Sequence, residues 1–140
     1  MPLELDSLAA AVDALCKVSA KSDDSAFMHR LDDVAQNAIR SGVIQHFEFT
    51  YELCWKFMKR WLSTHIGPTV ADGVTRRELF RLAAEQRLIV DVEEWMRYHD
   101  ARNQTAHTYN FEIAERVYQV AHAFSRDAGK LLAALEARND

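Results

Sequence analysis

The stretch from Val43 to about His65 constrains the fold most strongly, because it is apolar on nearly every side when it is read as a helix. One row of apolar side chains is extended by a second on the neighbouring face. These rows comprise Ile44, Phe47, Tyr51, Trp55, Met58 and Leu62, with Phe49, Leu53, Phe57 and Trp61 beside them. Only Glu48, Glu52, Lys56 and Arg60, spaced by four, form a polar stripe. A helix that is apolar on most of its faces is buried among other elements, so this stretch predicts the central helix of a bundle.

Helical periodicity extends through most of the chain, whereas no stretch alternates as a strand would. A first amphipathic helix runs from Leu5 to Cys16, and a second segment repeats the pattern with Phe27, Leu31, Val34, Ala35 and Ala38. The predicted boundaries are fraying from Ser19 to Ser25, a cap at Asp24 or Ser25, a break at Ser41-Gly42, an end at Gly67-Pro68, and caps at Thr75, Asp91 and Asn110. The pattern predicts an all-α, up-and-down bundle of four to six helices.

The length of 140 residues favours a single domain, residues 1–140. A chain of this size buries about 68–70% of its unfolded surface, so it needs neither a structural metal nor a disulfide. Cys16 and Cys54 both lie in apolar helical surroundings, and we expect both to be reduced core residues.

The N-terminal residues lack the basic region and the apolar run of a signal peptide. Within Val43 to Leu62, the most apolar segment, five charged residues oppose insertion into a bilayer. We therefore expect a cytoplasmic protein without a membrane partner.

The distribution of charge bears on nucleic-acid binding. The formal net charge of −4 argues against a general basic surface for nucleic acid. Residues 56–107 nevertheless carry nine basic and seven acidic groups, so the middle third is locally basic. The simplest interpretation is a set of solvated helix faces, including Arg76, Arg77 and Arg81, although a local site for a polyanion stays open. We interpret His46 and His99 as hydrogen-bonded packing residues.

The clearest functional pattern is the segment from Arg102 to Tyr109, Arg-Asn-Gln-Thr-Ala-His-Thr-Tyr. Arginine binds phosphate with two hydrogen bonds, and histidine exchanges protons near neutral pH. Arg102 and His107 are five residues apart, about 140° around an ideal helix, so they converge only if the helix ends between them. The residues alone leave a structural and a catalytic role for His107 equally open.

Two motifs together resemble a known family. Arg102, Asn103, His107 and Tyr109 resemble the Arg-x4-His-x-Tyr motif of HEPN-domain proteins, in particular the toxins of HEPN/MNT toxin–antitoxin pairs. The stretch from Ile44 to Lys56 resembles the signature helix of the subgroup called nucleotidyltransferase substrate-binding proteins. The order and the separation of the two motifs also match, and the resemblance covers roughly residues 30–135.

The resemblance implies an all-helical homodimer that acts as a metal-independent endoribonuclease toxin of a type VII-like system, with no cofactor. Arg102 and His107 of two protomers would face each other across a cleft, with Asn103 in a supporting position. Apart from the resemblance, Lys56 and Arg60 are candidates for a supporting contact with RNA, but a solvated or structural role is favoured for both. RNA supplies its own nucleophile, the 2′-hydroxyl, so cleavage needs a proton acceptor, a proton donor and positive charge at the phosphate. The resemblance favours tRNA as the substrate.

The family also implies a partner, a minimal nucleotidyltransferase antitoxin that attaches AMP to Tyr109. The alternative for Tyr109 is a partly buried aromatic residue whose hydroxyl bonds across the bundle. The alternative function is a non-catalytic substrate-binding subunit of a nucleotidyltransferase.

Overall fold

The computed structural model describes residues 2–140, which form six α-helices and no strand. The helices are α1 (Asp6–Asp23), α2 (Ser25–His29), α3 (Asp33–His65), α4 (Arg76–Glu85), α5 (Val92–Asn103) and α6 (Phe111–Ala137). Helices α1, α3 and α6 pack against one another, while α4 and α5 pack on α3 and on each other. This arrangement confirms the predicted all-α bundle of four to six helices.

Side chains at the helix starts account for most of the boundaries. Thr75, Asp91 and Asn110 accept hydrogen bonds from backbone N–H groups in the first turns of α4, α5 and α6, as the sequence predicts. Asp24 caps α2 by accepting from the N–H of Phe27 at 3.0 Å. Each cap satisfies a donor that the helix leaves free, so four of the predicted starts are confirmed.

The predicted break at Ser41-Gly42 is wrong, because α3 runs without interruption for 33 residues. A glycine inside a helix costs only about 1 kcal/mol relative to alanine, and packing outweighs that cost here. At Gly42 the helix lies against α1, where an added Cβ would sit 3.6 Å from Cγ2 of Val18. The chain turns instead before Asp32, which caps α3 through the N–H of Ala35.

Two further expectations for the N-terminal third are also wrong. The first helix does not fray at Ser19, because the buried Ser19 hydroxyl lies 2.7 Å from Nδ1 of His122 on α6. Tertiary contacts to α6 therefore extend α1 to Asp23. The predicted apolar row of the second segment does not form one face, since a bend separates α2 from α3 and leaves Val34 79% exposed.

The core is centred on Phe124 of α6, which is fully buried. Its ring makes edge-to-face contacts with four other aromatic rings at centroid distances of 5.0 to 6.2 Å. These rings belong to Phe47, Tyr51, Trp95 and Tyr98. Because they come from α3 and α5, this cluster joins three helices into one core and fixes the position of α5 on α3.

The two cysteines differ in burial. Cys54 is fully buried, as predicted, and burial raises the pKa of its thiol. The prediction of a core position for Cys16 is wrong: Cys16 is exposed, because Leu15, one residue earlier, takes the buried position on α1. Both cysteines are free thiols.

Candidate active site

The helix ends within the segment that carries the Arg-x4-His motif, between Arg102 and His107, as their convergence requires. α5 ends at Asn103, a single 3₁₀ turn covers Thr105–His107, and α6 begins at Phe111. The Thr105 hydroxyl donates to the carbonyl oxygen of Arg102 at 2.8 Å, so it satisfies one of the acceptors left free at the end of α5. Arg102 is therefore on the last turn of a helix, and His107 is on a separate short turn.

Two carboxylates of α3 hold the side chain of Arg102. Its Nε lies 3.0 Å from Oε1 of Glu52, and one terminal nitrogen lies 3.5 Å from Oε1 of Glu48. The second oxygen of Glu52 accepts from the indole N–H of Trp55 at 3.0 Å. The guanidinium is thereby oriented at the junction of α3 and α5, with about a quarter of the side chain exposed.

His107 and Tyr109 lie beside each other on the surface. Both are exposed, Tyr109 to 86%, and their rings are edge-to-face with centroids 6.1 Å apart. The alternative of a partly buried Tyr109 that bonds across the bundle is therefore wrong. Tyr109 and the exposed Phe111 line a pocket of about 310 Å³, together with Arg40 and Tyr118.

Asn103 contacts His99 rather than Arg102. The amide nitrogen of Asn103 lies 3.4 Å from Nε2 of His99, and the hydroxyl of Tyr51 lies 2.9 Å from Nδ1 of His99. A neutral histidine that donates from Nδ1 and accepts at Nε2 satisfies both contacts. Burial, and secondarily the positive charge of Arg76, lowers the pKa of His99. The prediction of a hydrogen-bonded packing residue is thus confirmed for His99.

Arg76 departs from the predicted solvated face. Arg77 and Arg81 do form exposed ion pairs, with Glu93 and Glu78. Arg76 instead stacks on the indole of Trp55 with its guanidinium carbon 3.6 Å from the ring centroid. One of its terminal nitrogens is buried and has no hydrogen-bond partner within residues 2–140. The first arginine of α4 therefore faces inward, next to the Arg102 site.

Lys56 lies one helical turn after Glu52 on α3. It is exposed and lines an open pocket of about 440 Å³ with Lys59 and Arg60. Glu52 pairs with Arg102 on α5, although Lys56 is spaced to pair with it on α3. Lys56 thus lines a pocket that does not include Arg102.

Sequence reasoning missed four side chains around Arg102: Glu48 and Glu52, which pair with it, and Arg76 and His99, which lie near them. The available signal was the polar stripe on an otherwise apolar helix. Carboxylates at Glu48 and Glu52 in such a helix need a cation from a neighbouring element, and Arg102 is that cation.

In the part of the chain that the structure describes, no three His, Cys, Asp or Glu side chains converge to hold a metal ion. No helix of that part is long and apolar enough to cross a membrane.

The lowered pKa of His99 gives a pH-dependent contribution to stability. Below about pH 6.5 the unfolded chain binds a proton at this histidine more readily than the folded protein does. The contribution of neutral His99 to the free energy of unfolding is complete above that pH, and it is lost as the pH falls toward the pKa of folded His99. Replacing His99 with glutamine is expected to flatten the decline in the free energy of unfolding between about pH 7 and pH 5. Urea unfolding across that pH range measures the decline in each variant, and the exposed His29→Gln serves as the control. An unchanged decline in His99→Gln would contradict the assignment.

The fold and the site together define a class. An all-α bundle with the Arg-x4-His-x-Tyr sequence between two helices is a HEPN-like protein. Residues 3–137 match the family described as nucleotidyltransferase substrate binding protein like, and the chain belongs to that family.

Comparisons with individual proteins agree with this assignment. The chain is 35% identical to the probable ribonuclease HepT of Haemophilus influenzae, over 98% of this chain and 94% of that protein. A solved structure from Haemophilus influenzae, described as the fold of a substrate binding domain of a nucleotidyltransferase, superposes with a TM-score of 0.90. It is 33% identical, and the match covers 95% of this chain and 99% of the other. A second structure, from Thermus thermophilus, has a TM-score of 0.67 and 26% identity, with 89% and 98% coverage.

Proposed function

We propose that this protein is a metal-independent endoribonuclease, the toxin of a type VII-like HEPN/MNT toxin–antitoxin system, and that it acts as a homodimer on RNA, with tRNA as the favoured substrate. The observation that carries the proposal is the placement of Arg102 on the last turn of α5 and of His107 on the short turn that follows. The first is held by two carboxylates at a helix end, and the second is exposed on the following turn. The name of the Haemophilus influenzae relative, a probable ribonuclease, agrees with this assignment.

The chemistry requires two histidines and one nucleophile. His107 of one protomer accepts the proton of the RNA 2′-hydroxyl as its oxygen attacks the adjacent phosphorus. The bond from phosphorus to the 5′-oxygen breaks, and that oxygen takes a proton from His107 of the second protomer. The products are a 2′,3′-cyclic phosphate and a free 5′-hydroxyl. Because each protomer supplies one such histidine, the mechanism depends on a dimer.

Arg102 stabilises the charge that builds up on the phosphate oxygens in the transition state. Glu52 forms an ion pair with Nε at 3.0 Å, although the buried N–H makes no hydrogen bond within residues 2–140. The contact with Glu48 is longer, 3.5 Å, and involves a terminal nitrogen. A phosphate oxygen that approaches this terminal nitrogen replaces the longer contact and leaves the ion pair with Glu52 in place. Glu52 is therefore a positioning residue for Arg102 in this mechanism.

The exposed Tyr109 is the proposed site of AMP transfer by the partner nucleotidyltransferase. After co-expression with the nucleotidyltransferase encoded next to it, we expect the purified protein to gain the mass of one or more AMP units. Tyr109→Phe should lose this mass gain and remain toxic, because the added phosphates can no longer repel RNA beside Arg102. The buried Tyr98→Phe, which removes a hydroxyl outside the Tyr109 pocket, should keep the modification. Full neutralisation of the toxin with Tyr109 unmodified would contradict this route.

A second candidate is a non-catalytic subunit that presents substrate to a nucleotidyltransferase. The description of the family and that of the Haemophilus influenzae structure favour it. Incubation of the purified protein with labelled tRNA and mRNA in EDTA separates the two functions. Cleavage in EDTA supports the ribonuclease, and cleavage only with added metal contradicts the mechanism above. No cleavage, together with a faster nucleotidyltransferase, supports the second candidate.

A further inference from the structure

Three cations on the second half of α3 have no acidic partner among residues 2–140. Lys56, Lys59 and Arg60 line the pocket of about 440 Å³ together with Trp55. None of the three lies within 4.0 Å of a carboxylate among residues 2–140. Several other cations of the molecule do have such partners. These are Lys17, Arg40, Arg77, Arg81, Arg97, Arg102 and Lys130.

A fourth cation belongs to the same surface. A neighbouring pocket of about 220 Å³ shares Trp55 and Lys59 with the first and adds Arg76. Arg76 covers the indole at 3.6 Å and likewise has no carboxylate within 4.0 Å in the described residues. We call the surface formed by Lys56, Lys59, Arg60 and Arg76 around Trp55 the basic groove. Unneutralised cations concentrated in this way on a chain of net charge −4 produce a local positive potential that attracts an anion.

The basic groove is continuous with the Arg102 site. The indole N–H of Trp55 donates to Glu52, and the other carboxylate oxygen of Glu52 contacts Nε of Arg102. From Glu52 to Arg60 the helix advances eight residues, about 12 Å. That distance corresponds to about three or four nucleotides of a stacked strand. The near end of the basic groove, at Lys56, lies only four residues or about 6 Å from Glu52, so a polyanion bound at Arg102 reaches it within about two nucleotides and spans it by extending three or four.

We propose that the basic groove binds the phosphate backbone of the single-stranded RNA segment that flanks the cleaved phosphate. The inference rests on the proposed ribonuclease function and extends it to the course of the substrate. A single strand fits because three of the four cations follow one side of α3, as in grooves that track one backbone. Binding here depends on charge rather than on base identity, since Arg76 covers one face of the indole and the remaining groups are cations.

The test compares two triple variants, both made in the His107→Ala background so that RNA stays intact. The first, Lys56→Ala/Lys59→Ala/Arg60→Ala, removes three cations from the basic groove. The second, Lys17→Ala/Arg126→Ala/Lys130→Ala, removes three exposed cations from α1 and α6 and serves as the charge-matched control. Fluorescence anisotropy with a labelled 20-nucleotide single-stranded RNA then gives affinity as a function of salt concentration.

We expect the groove variant to bind at least about tenfold more weakly at low salt, and the slope of log K against log salt to fall by about 2, since each lost phosphate contact removes about 0.7. The control should keep the slope of the parent protein. Equal slopes in the two triple variants, with circular dichroism showing both folded, would overturn the proposal.

A second measurement separates this proposal from the function on which it rests. With His107 restored, the groove variant should show its loss mainly in KM for RNA cleavage, because the lost contacts are made equally in ground and transition states. Cleavage with an unchanged KM would overturn the basic groove and leave the ribonuclease standing. Groove-dependent RNA binding by a protein that cleaves no RNA would overturn the ribonuclease and leave the basic groove standing.

Discussion

The variant His107→Ala is expected to lower kcat for RNA cleavage by about a thousandfold or more. One substitution removes both the base and the acid of a symmetric dimer, and each proton transfer contributes about 10²–10⁴-fold. His107 is exposed on a short 3₁₀ turn, so the change leaves the core untouched. Initial rates on labelled RNA in EDTA, together with the growth of cells that express the variant, measure the effect.

Arg102→Ala should reach a similar loss by a different route, because it removes the charge that stabilises the transition state. It also leaves Glu48 and Glu52 without their cation, so its fold needs a separate check by circular dichroism. His29→Ala, at an exposed position on α2, is the matched control and should retain full activity. A folded Arg102→Ala/His107→Ala variant with full activity would refute the assignment of the site.

The second large effect concerns stability. Phe124→Ala is expected to lower the free energy of unfolding by about 3–5 kcal/mol, the usual range for removing a buried aromatic ring. The ring contacts aromatic residues of both α3 and α5, so its loss leaves a cavity at the point where these helices meet α6.

Urea denaturation of both variants measures the difference. The control Phe111→Ala removes a ring that is 81% exposed and should change the free energy by less than about 0.5 kcal/mol. Equal losses in the two variants would show that Phe124 is not the centre of the core.

Local features of the fold were predictable from the sequence because their causes lie within one helical turn. Thr75, Asp91 and Asn110 accept from N–H groups two or three residues ahead, and the period of the apolar residues is a property of each helix alone. The break predicted at Gly42 failed because its outcome depends on packing against Val18, a residue 24 positions earlier in the chain.

The candidate site was predictable in part for the same reason. Arg102 and His107 stand out because they share a short segment, as does the helix end between them. The pairing of Arg102 with Glu52 joins residues 50 positions apart, and only the packing of α5 on α3 brings them together. The sequence likewise groups Arg76 with Arg77 and Arg81, and only the contact with Trp55 distinguishes it.

The unbroken course of α3 has a consequence for how related chains vary in length. This helix is about 50 Å long and carries the edge of the Tyr109 pocket at Arg40, the carboxylates at Glu48 and Glu52, and the groove cations beyond them. A single residue inserted among these positions would rotate everything after it by about 100° and move three functional surfaces out of register. Insertions and deletions during evolution should therefore be confined to the loops, such as residues 66–75, while α3 keeps a constant length.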